Sequence, residues 1–254
     1  MKITAIGHGG AFAPISIGNS NFLFEEDGKY FLFDCSIFTM HILREEMKFD
    51  IGDIDALYIT HQHFDHHGGG PYLGLYRYFV PNSTGKPVRP KLFIASSLIE
   101  SLWNSSWKGD LEGLHGRIAT LTDYFDCRPI QKSKTFIWQG IKFTPFQTVH
   151  VNSGFAIKNS YGLFIENPKT GKTGMISGDT IFNPDGLDYI FQKSDIIFHD
   201  CETSPFRSKV HANIEDLRTL PVDIKKKMWL YHYNDKVDGT GFAGFVEKSQ
   251  IFEI

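Results

Sequence analysis

Short apolar runs broken by glycine-rich or Asp-Gly turns fill the first part of the chain. Residues 2–6, 21–24 and 30–33 carry β-favouring side chains between such turns and predict strands. Residues 37–47 space their apolar side chains as a helix does. Residues 56–59 predict a short buried strand that ends on Thr60 and a cluster of histidines. A strand at 91–94 and a helix at 96–103 follow, with Ser96 or Ser97 as the cap. In the second half, residues 141–148, 155–157, 162–165, 174–176, 196–198 and 228–231 predict strands, and 186–192 and 213–217 predict helices. The most linker-like stretch, 81–87, is short and lies between core elements. Without a repeat or a composition break, residues 1–254 read as one domain. Many strands with helices in both halves predict a layered α/β arrangement, two packed sheets flanked by helices.

Composition narrows the class. The 254 residues are 41% hydrophobic and include 23 Phe, ample for a buried core. A net charge of −3 argues against a long nucleic-acid footprint, which needs a basic face. The one basic triplet, Lys225-Lys226-Lys227, reads as a solvated turn before a strand. No signal peptide is expected at the N-terminus, and no window approaches the roughly 18 apolar residues that span a bilayer. Cys35, Cys127 and Cys201 are odd in number and far apart, which suits a reducing compartment. The expectation is a soluble, cytoplasmic protein.

The chemistry concentrates in Thr60-His61-Gln62-His63-Phe64-Asp65-His66-His67-Gly68-Gly69. From His61 to His66, imidazoles and a carboxylate crowd the end of a strand, and these are the donors that zinc, manganese or iron accept. A His-x-His on extended backbone turns both rings to one side, and the following turn can aim Asp65 and His66 at a second position. Further donors stand at later strand ends: His150 after 143–149, Asp179 after a Gly turn, and His232 after Trp229-Leu230-Tyr231. The remaining histidines are weaker candidates. His8 lies in a glycine-rich loop beside the expected site, His41 in an amphipathic helix, and His67 points away from its neighbour. His115 sits in loop 109–116 and reads as surface. Tyr72, Leu73, Tyr76, Tyr78 and Phe79 read as helix core.

The motif resembles the His-x-His-x-Asp-His signature of the metallo-β-lactamase superfamily, and the resemblance covers nearly the whole chain. It extends to Gly7-His8-Gly9-Gly10-Ala11-Phe12, Asn19-Ser20-Asn21-Phe22-Leu23 and Phe33-Asp34-Cys35. It implies an αββα sandwich in which His61, His63 and His150 hold one divalent ion. Asp65, His66 and His232 hold a second, and Asp179 bridges them. Zinc suits this donor set, and manganese is compatible. Two such ions about 3.5–4 Å apart share a hydroxide that attacks phosphorus or a carbonyl carbon, with Asp65 orienting it.

A leaving alkoxide needs a proton donor. His211, in Lys209-Val210-His211-Ala212-Asn213, opens a predicted helix and resembles the extra histidine of tRNA 3′-processing endonucleases. Ala212-Asn213 stands where those enzymes have Ser-Thr. Asp200 or Glu202, in His199-Asp200-Cys201-Glu202-Thr203, is expected to orient it. The tRNA endonucleases carry a basic, glycine-rich arm that this chain lacks, and a glycine where Phe64 stands. Glyoxalase II-type thioesterases usually add a helical C-terminal region, which is not expected here. Length and motif order are similar to the phage and bacterial anti-Pycsar phosphodiesterases, which degrade cyclic mononucleotide immune signals. That resemblance implies a homodimer acting on a small anionic substrate, a cyclic nucleotide. The alternatives are RNA processing, thioester or lactone hydrolysis, and an inactive metal-binding module.

Overall fold

The computed structural model describes residues 1–80 and 88–254, so the predicted loop 81–87 lies outside the described residues. In chain order the strands are β1 (Lys2–Ala5), β2 (Phe22–Glu26), β3 (Lys29–Phe33), β4 (Ile54–Ile59) and β5 (Lys91–Ala95). A small hairpin, β6 (Gly113–Leu114) and β7 (Arg117–Ile118), precedes β8 (Asp126–Ile130), β9 (Phe136–Trp138), β10 (Ile141–Asn152) and β11 (Ile157–Glu166). The chain continues through β12 (Thr173–Ile176), β13 (Ile196–Asp200), β14 (Met228–Tyr231), β15 (Gly244–Phe245) and β16 (Ile251–Glu253). Among the described residues these form two seven-stranded sheets, ordered β16-β1-β2-β3-β4-β5-β8 and β15-β14-β13-β12-β11-β10-β9. Each sheet is mixed, with a parallel half that includes β4 or β13.

Phenylalanine alternation explains why the sheets stack. Phe22 and Phe24 on β2 pair across the ladder with Phe33 and Phe31 on β3, and all four enter the core between the sheets. Leu23 and Leu32, one residue out of phase, face the helices on the outer side. Phe143, Tyr58, Phe198 and Tyr231 complete the inner layer from both sheets. Burying each such side chain stabilises the fold by about 1.5–3 kcal/mol. Outside the second sheet, Leu187 and Phe191 of helix Pro184–Lys193 pack on Met175 and Ile197. The result is the expected αββα layering.

Several local elements differ from expectation. The helix expected at 37–47 starts as α over Ile37–His41, capped by Ser36, then widens into a π-helix over Ile42–Glu46. Ser96 and Ser97 do not cap the next helix, which begins at Ile99 after Leu98. Ser97 Oγ is instead committed to the Tyr161 hydroxyl, 2.8 Å away. The expected strand at 155–157 is not separate. Phe155 lies in a turn closed by Ser153 Oγ, and Ile157 begins a single strand running to Glu166. The polar stretch Lys158-Asn159-Ser160 does not interrupt it because pairing to β10 continues through it. The helix expected from 213 starts at Ile214 with Asn213 as its cap, so His211 precedes it. Of the aromatic run, Leu73 is buried, whereas Tyr72 and Phe79 are exposed.

Candidate metal centre

Three strand ends and one bulge converge on a single point between the sheets. β4 stops at Ile59, and Thr60 carries the chain to His61 and His63. The helical turn Phe64–His67 then buries Asp65 and His66. The β10–β11 register shifts between Val149 and Val151, which makes His150 the bulged residue and re-aims its ring. After β12, Gly178 takes φ +63, a conformation glycine adopts without penalty, and delivers Asp179. After β14, His232 itself takes φ +68 and is held there by its N–H donating to the His8 carbonyl at 2.7 Å.

The donors face one another closely. Asp179 Oδ2 lies 3.6 Å from His61 Nε2, 3.3 Å from His66 Nε2, 3.5 Å from His150 Nε2 and 3.4 Å from His232 Nε2. Asp65 Oδ2 is 3.3 Å from His66 Nε2 and 3.5 Å from His232 Nε2. His63 presents Nδ1, 3.0 Å from His150 Nε2. Two donor groups emerge, His61, His63, His150 and Asp179 beside Asp65, His66 and His232, with the donor atoms of each group within 4.8 Å of one another. His211 joins Asp179 and His232 in a third, overlapping group.

These residues fit divalent cations. Buried polar atoms normally have hydrogen-bond partners. Here His61 Nε2, His66 Nε2, His232 Nε2, Asp65 Oδ1 and Asp179 Oδ1 are all buried without one. Their crowding at a single point is what a cation would satisfy. Burial lowers the affinity of several imidazoles for protons, His61 well below its ordinary value and His63 to about 4. Neutral imidazole is the form that binds metal. Burial alone would lower His66 too, but the carboxylates of Asp179, Asp65 and Asp34 hold it well above its ordinary value.

A surrounding layer fixes the rings. His66 Nδ1 donates to Asp34 Oδ2 at 2.7 Å, and Asp34 also accepts from the Thr60 N–H and hydroxyl, both at 2.8 Å. His150 Nδ1 donates to the Val210 carbonyl at 2.8 Å. The sequence reading passed over Asp34 as a site residue. It follows an apolar strand as Asp179 does, and its own backbone is left-handed, φ +59.

His211 lies beside the cluster with Nδ1 2.9 Å from Asp200 Oδ2 and 3.9 Å from Asp179 Oδ2. Burial would depress its proton affinity, but Asp200 raises it to about 9. Glu202 does not reach His211 by a hydrogen bond. Its two oxygens accept from the Ser208 N–H at 3.1 and 3.0 Å, which shapes the loop leading to His211. His8 touches the cluster through its carbonyl, while its ring stacks on Tyr233 with centroids 4.6 Å apart. His67 accepts from Trp107 Nε1 at 3.1 Å, outside the cluster. His115 and His41 are exposed.

Among solved structures, a metallo-β-lactamase-fold protein from Bacillus subtilis, YhfI, matches 99% of both chains with a TM-score of 0.75 and 17% identity. The chain thus has the metallo-β-lactamase fold, with a cluster of His and Asp donors at its centre that could hold metal ions. The family model described as Anti-Pycsar protein Apyc1 matches residues 1–252, and the chain belongs to that family. An Anti-Pycsar protein Apyc1 from Paenibacillus harenae is 34% identical, with all of both chains covered. One from Bacillus phage vB_BsuM-Goe3 is 32% identical over 98% of this chain and 96% of its own.

Proposed function

We propose that this chain is a phosphodiesterase that opens cyclic mononucleotide signals, the activity its anti-Pycsar relatives suggest. The observation that carries the reading is the His211–Asp200 pair beside the donor cluster, because breaking a phosphodiester releases an alkoxide that must be protonated. Two divalent ions, zinc in the first instance, held by His61, His63 and His150, by Asp65, His66 and His232, and jointly by Asp179, would activate water and neutralise phosphate charge. His211, kept protonated at neutral pH by Asp200, donates to the leaving oxygen. Asp34 and the Val210 carbonyl orient His66 and His150.

A homodimer is part of this proposal. Phe12, Phe155 and Phe206 are 92%, 101% and 76% exposed, Phe12 in the loop whose His8 carbonyl accepts from the His232 N–H, and Phe155 and Phe206 in the loops next to His150 and His211. Aromatic side chains are enriched where proteins meet, so these three are candidates for that interface. No helix among the described residues is long and apolar enough to cross a membrane, which is compatible with action in the cytoplasm, the host's if phage-encoded.

The test is hydrolysis of a panel of 3′,5′-cyclic mononucleotides beside a 3′-extended precursor tRNA, with Zn²⁺ or Mn²⁺ and a chelated control. Metal-dependent opening of the cyclic nucleotides with the tRNA intact supports the reading. Cleavage of the tRNA alone overturns it.

A further inference from the structure

A cavity of about 470 Å³ opens directly onto the donor cluster, with His61, His63 and His150 among its lining. That size lies within the range of small-ligand sites. One of its walls is β11. Lys158 pairs with Val151 and Asn159 with Val149, so these two residues flank the His150 bulge from the neighbouring strand. Both line the cavity, although adjacent strand residues ordinarily face opposite ways. The added twist at a bulge accounts for this.

Their chemistry is complementary to a nucleotide. Among the described residues lining the cavity, Lys158 is the only lysine or arginine. Asn159 Oδ1 is shut off from solvent without a hydrogen-bond partner. Rotation of the amide exchanges its donor and acceptor, so it can answer a base or ribose edge of either kind. Two residues on, Tyr161 supplies an aromatic ring to the same wall, fixed by Ser97 at its hydroxyl and by Tyr58 at its carbonyl.

We infer that Lys158 and Asn159 form the substrate-anchoring wall of this site, Lys158 taking the anionic phosphate oxygen and Asn159 a polar edge of the nucleoside. The inference rests on the phosphodiesterase reading and adds the residues that recognise the substrate.

The test compares the member of a 3′,5′-cyclic mononucleotide panel that wild type opens fastest with bis(p-nitrophenyl) phosphate, a phosphodiester without a base, in metal-loaded wild type, Lys158→Met, Lys158→Arg and Asn159→Leu. Metal content and thermal stability are measured for each. A charge-assisted hydrogen bond predicts that Lys158→Met raises KM for both substrates about 10- to 100-fold, with Lys158→Arg recovering most of the loss. The weaker salt dependence of KM in Lys158→Met reports the lost charge. Asn159→Leu should lower kcat/KM for the cyclic nucleotide about tenfold more than for the base-free diester. Wild-type KM in Lys158→Met, or an equal loss on both substrates in Asn159→Leu, overturns the corresponding assignment. A wild type that cleaves neither diester overturns the phosphodiesterase reading itself. One that cleaves only the base-free diester overturns the cyclic-nucleotide reading and, with it, the role of Asn159.

Discussion

Asp200 Oδ2 lies 2.9 Å from His211 Nδ1 and so commits that nitrogen, leaving Nε2 as the atom able to hand over a proton. The Val210 carbonyl, one residue earlier, accepts from His150 Nδ1. The segment that presents the proton donor is therefore tied to a ring of the donor cluster.

His211→Ala should leave metal content at the wild-type level while slowing cleavage of diesters with poor leaving groups by about 10²–10⁴-fold, the usual contribution of a general acid. A p-nitrophenyl leaving group needs little protonation and should lose far less. Rate ratios across a leaving-group series, with metal analysis on the same samples, measure this. Equal losses across the series would remove the proton-donor role.

Asp200→Asn should shift the pH profile. With Asp200 in place, His211 holds its proton up to about 9, so the acid form is present at neutral pH and is lost as pH rises through that value. Removing the negative charge lowers His211 towards its ordinary range. The alkaline limb of kcat should then move to lower pH. Asp200 Oδ1 also lies 3.6 Å from His232 Nδ1, so metal content is the necessary control. An unmoved alkaline limb at full metal content would deny Asp200 this role.

Strand patterning made much of this arrangement readable beforehand. Apolar runs ending on His61, Asp179 and His232 marked positions that a layered α/β fold gathers at one edge, and the structure places those residues together. His150 was readable as a strand end, yet it sits at a bulge within a longer strand, because hairpin pairing continues to Asn152. Asp34 follows an apolar strand as Asp179 does, but its task of orienting His66, 32 residues away, depends on a contact that local sequence does not encode. Glu202 resembled a partner for His211, but the left-handed turn at Lys209 and the bonds to Ser208 give it a loop-shaping task instead. Local hydroxyls misled for a similar reason, since Ser97 is used across the sheets rather than as a cap.

Asp34→Ala should weaken metal binding by about 10- to 100-fold, the usual effect of losing a carboxylate behind a ligating histidine. His66 loses the acceptor that fixes its orientation, and the Thr60 N–H and hydroxyl lose theirs. Competition with a chelator of known affinity measures the change. Unaltered affinity would leave Asp34 a purely structural residue.

Asp179→Ala should abolish turnover and empty both proposed sites together, because one carboxylate oxygen lies within 3.6 Å of His61, His66, His150 and His232. Metal analysis by plasma mass spectrometry should find well under one ion per chain. Two retained ions with a normal rate would defeat the bridging assignment.

Gly69→Ala tests the support beneath the motif rather than the chemistry. A Cβ at Gly69 would meet the Ser36 carbonyl oxygen at 2.3 Å and Cys35 Sγ at 2.8 Å, while the Gly69 N–H donates to the Cys35 carbonyl at 2.7 Å. Backbone and a buried sulfur cannot move aside without shifting the segment that holds Asp34. Overpacking of this kind costs about 1–3 kcal/mol. The urea midpoint should fall accordingly with the m-value unchanged. Displacement of Asp34 should also loosen His66, so metal affinity should fall alongside stability. A variant with the wild-type midpoint would mean that the turn after His66 can open without disturbing the strand end it rests on.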